Sequence, residues 1–90
     1  MDKGLVSALS FYKSSRYRQR ILYCIGDKTL TPSEISRDVN IRINHVSMVL
    51  TALKNGGLVK CLNEKNKRGR LYELTELGRQ VLAHECRNST

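Results

Sequence analysis

Residues 31–57, TPSEISRDVNIRINHVSMVLTALKNGG, constrain the fold more than any other stretch of the chain. Thr31 has the short hydroxyl side chain of a helix N-cap. Pro32 suits the first helical position, where a missing N–H does no harm, and Glu34 stands where it can reach back to the cap. That opening predicts a short helix, because Asn40 interrupts the apolar pattern of Ile35 and Val39. A longer helix is predicted from Ile43 to Asn55. Val46, Val49, Leu50 and Leu53 fall at i, i+3, i+4 and i+7 and make a single stripe to bury. Gly56 and Gly57 end it, one of them as the left-handed cap. A short helix, a turn and a longer helix thus follow in immediate order.

Upstream, Leu5, Leu9 and Tyr12 recur at helical spacing, with Val6 and Phe11 beside them, and give a first helix. Ser14 and Ser15 interrupt it and cap a second from Arg16 to Ile25. In that helix Tyr17, Ile21, Cys24 and Ile25 share a face while Arg16, Arg18 and Arg20 point away. Phe11, Tyr12, Tyr17 and Tyr23 are expected to pack between these two helices. Gly26 and Asp27 close the second. After Gly57 the period changes: LVKCL (58–62) and RLYEL (70–74) read as strands around the cationic turn EKNKRGR, with Leu71 or Tyr72 inward. Thr75 and Glu76 open a last helix with Leu77, Val81 and Leu82 inward. The fold class is mainly α with a small β-hairpin, in the order of a winged helix-turn-helix. One domain holds an N-terminal helix (1–14), a three-helix core (16–55) with its helix-turn-helix at 32–55, a hairpin wing (58–74) and a C-terminal helix (76–87).

Charge narrows the partners. With 16 Lys and Arg against 8 Asp and Glu, the chain carries a net charge of +8, and nucleic acid is the commonest polyanion for a small basic domain. A membrane fits less well. The longest apolar run, ILYCI at 21–25, is far too short to cross a bilayer, and no segment sets a basic face against an interfacial aromatic one. The start, MDKGLVSALSFYKSS, is too broken for a secretory signal, so the cytoplasm is the expected location. Cys24, Cys61 and Cys86, an odd number without CxxC spacing, fit a reducing compartment. Cys61, His84 and Cys86 match no metal-ligand spacing, and neither a metal nor another cofactor is expected. Catalysis finds no support either, since no cysteine has an activating base beside it and no Gly-rich loop opens a helix.

The span TPSEISRDVNIRINHVSMVLTALKNGGLVKCLNEKNKRGRLYELTELGRQVL resembles the winged helix-turn-helix of MarR- and ArsR-like transcriptional regulators, particularly small archaeal ones. The likeness covers roughly residues 16–83. It implies that Ile43–Asn55 is a recognition helix in the major groove of double-stranded DNA, reaching it through Arg42, Asn44, His45, Ser47, Met48 and Thr51. A polar, nearly uncharged face suits base edges, which present donors, acceptors and methyl groups. Asn44 fits adenine, Arg42 guanine or a phosphate, and the Thr51 methyl a thymine methyl. Thr31, Ser33 and Arg37 are expected on the DNA backbone. Lys65, Lys67, Arg68 and Arg70, around Gly69, are expected on the backbone or in the minor groove.

Three positions depart from the family pattern. Asn66 stands where an Asp usually orients the wing arginine, here Arg68; Met48 stands where many relatives have Arg; and Arg42 replaces the usual Ser or Thr cap. The bland alternatives are a solvated helix face and a solvated Lys-rich turn. A homodimer is expected, its seam formed by Leu5, Leu9, Tyr12, Leu82 and Cys86, apolar residues that exceed what a lone first helix readily buries. Two other functions stay open: a protein–protein adaptor in a transcription assembly, and a sequence-tolerant chromosomal protein. No effector ligand is legible.

Overall fold

The computed structural model describes residues 3–88, with side chains as far as residue 85. Its elements are α1 (Lys3–Lys13), α2 (Arg16–Ile25), α3 (Pro32–Val39), α4 (Ile43–Asn55), β1 (Val59–Cys61), β2 (Tyr72–Leu74) and α5 (Glu76–Asn88). The strands are shorter than their alternation predicts. The antiparallel register pairs Val59 with Leu74, Lys60 with Glu73 and Cys61 with Tyr72. Leu30, just ahead of α3, adds a bridge to Tyr72 that no local pattern announces.

Local chemistry sets the helix ends. The Ser15 hydroxyl accepts from the Arg18 N–H at 3.4 Å and starts α2. At α3 the capping box is complete: the Glu34 N–H donates to Thr31 Oγ1 at 3.2 Å and the Thr31 N–H to Glu34 Oε1 at 2.9 Å. Asn40 ends α3 in the left-handed region, with φ of 57°, which its short polar side chain tolerates. The Ile41 N–H then donates to the Ser36 carbonyl at 3.2 Å, closing the turn. α4 begins without help, because Arg42 gives no side-chain cap bond. It ends firmly: Gly57 takes φ of 80°, and the Leu58 N–H returns to the Leu53 carbonyl at 2.9 Å.

The core lies where these elements meet. Ile21, Leu22 and Ile25 of α2, Ile35 of α3, Val46, Leu50 and Leu53 of α4, Leu58, Leu74 and Val81 are fully buried or nearly so. Each such side chain contributes roughly 1.5 to 3 kcal/mol on burial. The ion pairs Lys13–Glu85, Lys54–Glu64 and Lys60–Glu73 involve exposed lysines and stabilise little. Apolar burial, not charge pairing, holds the fold.

Some side chains depart from expectation. Leu9 and Tyr12 are buried within the chain's own core, as α1 lies along α5. A lone chain therefore does cover them, and they are not left over for a dimer seam. Phe11 and Tyr12 pack inward, but Tyr17 and Tyr23 are 42% and 71% exposed rather than held between α1 and α2. Arg18, expected outward, turns back. Its guanidinium lies 3.9 Å over the Phe11 ring and donates to Ser14 Oγ at 2.6 Å and the Phe11 carbonyl at 3.1 Å. Finally, α5 sits directly on the chain at the end of α4: a Cβ at Gly78 would stand 2.1 Å from the Leu58 carbonyl oxygen.

Candidate nucleic-acid interface

Burying the Val46–Val49–Leu50–Leu53 stripe forces the opposite side of α4 outward. Asn44, Ser47, Met48 and Thr51 are all exposed there, Met48 at 72%. The Thr51 hydroxyl donates to the Ser47 carbonyl at 3.0 Å. Its one donor is thus engaged within the helix, which leaves the methyl and the acceptor side of the hydroxyl oxygen for a neighbour.

The wing loop is closed by its own polar groups. Asn63 spans it, donating Nδ2–H to the Gly69 carbonyl at 3.1 Å while its Oδ1 accepts from the Leu71 N–H at 2.7 Å. Gly69 needs its freedom here, with φ of 66°. Arg70 is half-buried: Nε donates to the Asn66 carbonyl at 2.8 Å and Nη2 to the Glu64 carbonyl at 3.4 Å. Lys65, Lys67 and Arg68 are exposed. Glu64 is drawn instead to Lys54 at the end of α4. A hydrogen bond from that ammonium holds its carboxyl below the ordinary carboxylate value, so it stays ionised and its charge is matched locally.

The loop folds toward α4. Ser33 of α3, Ser47 and Thr51 of α4, and Lys67, Arg68 and Arg70 of the wing border one groove of about 500 Å³. An adjoining groove of about 680 Å³ is bordered by Ser36, Arg37, Asn40 and Arg42, and shares Ser33 and Ile43 with the first. Of the residues singled out from sequence, Ser33, Arg37, Arg42, Ser47, Thr51, Lys67, Arg68 and Arg70 thus line a continuous surface. Lys65 lies apart from it, beside Cys61 and Leu62. The Thr31 hydroxyl is engaged by its cap. His45 is half-buried, its ring 4.3 Å from that of Tyr17 and tilted by 50°. Of the expected seam, Leu5 and Leu82 are half-buried and the neighbouring Val6 is exposed; the Cys86 side chain lies outside the described residues. Among the described residues, no group of three or more His, Cys, Asp or Glu side chains is placed to hold a metal ion, and no helix is long and apolar enough to cross a membrane.

Sequence reasoning missed three contributors. Asn63 is one, although an Asn entering a turn is a known device for bonding backbone. The Tyr17–His45 contact joins elements distant in sequence and carries no local signal. Cys24 is more than a small apolar residue. Its thiol donates to Asp38 Oδ2 at 3.7 Å, and burial first, then the Asp38 charge, pushes its pKa up.

This arrangement is a winged helix-turn-helix. No protein-family model matches the chain, and no curated protein matches it by sequence. Solved structures do match. HlyU from Vibrio cholerae N16961 superposes with a TM-score of 0.77 at 21% identity, over 99% of this chain and 98% of that one. Mb0332 from Mycobacterium bovis, described as a homodimeric winged helix-turn-helix DNA-binding domain and a possible ArsR-family transcriptional regulator, does so with a TM-score of 0.66 at 21% identity, over 96% and 84% of the two chains. A double mutant of ZitR from Lactococcus lactis gives 0.72 at 22% identity, over 81% of this chain. The chain spans about half of that protein, 51% of its length. A zinc-dependent regulator of the MarR family also matches. The likeness establishes the fold; nothing in it bears on an archaeal origin.

Proposed function

We propose that this chain is a sequence-specific, double-stranded DNA-binding transcriptional regulator acting as a homodimer in the cytoplasm. One observation carries the reading. The outward face of α4 is exposed and uncharged, with polar Asn44, Ser47 and Thr51 around the apolar Met48, while the grooves beside it are rimmed by Arg37, Arg42, Lys67 and Arg68. Base edges discriminate through donors, acceptors and methyl groups, whereas phosphates respond to charge. The separation of the two kinds of side chain matches the two tasks. The description of Mb0332 as a homodimeric DNA-binding domain supports both the ligand and the pairing. In a pair built on Leu5, Val6 and Leu82, two α4 helices would meet successive major grooves about 34 Å apart, and the operator would be a pseudo-palindrome.

Binding sites selected from random duplexes supply the test. Asn44→Ala should lose about 1 to 3 kcal/mol on the selected site and relax preference at one base position. Arg68→Ala should weaken all sequences alike and reduce the salt slope by about one unit. The same uniform loss from both would overturn the division of labour. Absence of salt-dependent binding to any duplex would favour the adaptor, and failure to select a site would favour a sequence-tolerant chromosomal protein.

A further inference from the structure

We infer that α2 provides a second phosphate-gripping edge, through Arg16 and Arg20, on the side of α4 opposite the wing. This rests on the DNA-binding reading above and extends it to a helix that neither the turn nor the wing includes.

The geometry follows from the helical repeat. Successive residues are displaced by roughly 100° around a helix. Ile43, Ser47 and Thr51 border the wing-side groove, Asn44 and Met48 follow around the circumference, and His45 comes next on the far flank. There His45 meets the Tyr17 ring. The first turn of α2 therefore adjoins α4 on the flank away from the wing. A major groove has a phosphate strand along each side. The wing supplies cations for one of them, and α2 holds the candidates for the other.

Charge placement within α2 points the same way. Its first turn contains Arg16 and Arg18 and no acidic residue. Cations at a helix N-terminus oppose the helix dipole, so local stability gives no reason for them. Arg18 has a fold-internal role over Phe11. Arg16, at the first helical position, is exposed. Arg20 donates from Nη2 to the Val39 carbonyl at the end of α3, which pins its charge beside the turn that leads into Arg42. An acidic protein segment could also meet this edge. Its continuity with α4 through Tyr17 and His45 favours the duplex, even though the Asp38 carboxylate also lines the cleft beside Arg20.

The experiment uses the full chain with a selected duplex, or random duplex if none is selected, titrated across about 50 to 200 mM salt. Thermal unfolding is measured in parallel, with phosphate-ethylation interference on the selected duplex and the salt slope alone deciding on random duplex. Arg16→Ala should reduce the slope of log K against log salt by about 0.9. It should also remove interference at phosphates that Arg68→Ala leaves untouched, with a Tm equal to or above that of the parent. Arg20→Ala should act on the same phosphates, and Arg79→Ala, on α5, should leave the slope unchanged. An unchanged slope and interference pattern in Arg16→Ala overturns the inference, as does a fall in Tm that accounts for the weaker binding. Salt-dependent binding by the parent keeps the DNA-binding part of that reading intact in either case; its absence sinks that reading and this one with it.

Discussion

Gly78→Ala tests the packing that seats α5, and its sign is the point of interest. In a helix the change from Gly to Ala is ordinarily favourable, by up to about 1 kcal/mol in the interior and less near an end. Here the added methyl would lie 2.1 Å from the Leu58 oxygen and 3.1 Å from the Leu58 carbonyl carbon. Non-bonded heavy atoms settle roughly 3.5 Å apart, so one backbone must retreat by more than an ångström. Neither is free to do so. The Leu58 carbonyl accepts from the Thr75 N–H at 3.0 Å, and the Leu58 N–H is tied to Leu53. The Thr75 hydroxyl meanwhile joins the Gly57 carbonyl at 2.6 Å and accepts from the Gly78 N–H at 3.1 Å. Overpacking costs about 1 to 3 kcal/mol, and straining a backbone hydrogen bond adds about 1 kcal/mol. After the propensity gain, about 2 kcal/mol of destabilisation should remain, a fall in Tm of about 10 °C for a domain of this size. Thermal unfolding followed by circular dichroism, with urea midpoints as a second measure, reads it directly. A Tm that stays put or rises would refute the reasoning. Gly56→Ala is the contrast: its methyl meets the Phe11 ring edge at 2.8 Å, a side chain and not a hydrogen-bonded backbone, and its loss should be smaller.

Further outcomes follow from local contacts. Thr31→Ala should cost about 1 kcal/mol in urea unfolding by removing the α3 cap, with Thr31→Ser close to the parent; equal losses from both would argue against the cap. Glu34, Glu64 and Glu73 have carboxyls held below their ordinary value of 4.5, chiefly by hydrogen bonds from the Thr31 backbone, Lys54 and Lys60. Because their folded pKa values are depressed, the stability they add is present above about pH 4.5 and is lost as pH falls through those values. Glu73→Gln should therefore flatten the acid limb of a plot of urea midpoint against pH, and an unaltered limb would count against the pairing. Asp38→Asn should lower the Cys24 pKa and speed its alkylation near pH 8, read on the Cys24 peptide by mass spectrometry; an unchanged rate would deny Asp38 its influence. Asn63→Ala should weaken duplex binding while leaving Tm nearly unchanged, since it unfastens the wing and not the core. A large fall in Tm would contradict that.

The helices were legible because each is written in contiguous residues. Thr31, Pro32 and Glu34 spell out a cap, and Val46 to Leu53 a stripe, within a few positions of one another. Strand ends were less so: alternation continues through Leu62 and Leu71, but β1 and β2 are only three residues each, because Asn63 begins closing the loop there. Side-chain fates set by tertiary contact escaped altogether. Arg18 has the same local pattern as Arg16, yet only Arg18 has Phe11 within reach. Leu9 and Tyr12 looked surplus because the sequence does not show that α5 returns to cover α1. For the candidate site, charge and polarity located the reading face and the wing, while the inward turn of Arg70 depends on carbonyls that only the folded loop presents.

The Lys54–Glu64 pair fastens the hairpin loop to the tail of α4 by a contact between two exposed side chains. Such a tether loosens as ions accumulate. Raising ionic strength therefore acts on the protein as well as on the polyanion: attraction to phosphate fades and, separately, the angle of the finger relative to the cylinder becomes less defined. Neutralising both partners together, with Lys54→Met and Glu64→Gln, would leave only the first of these effects.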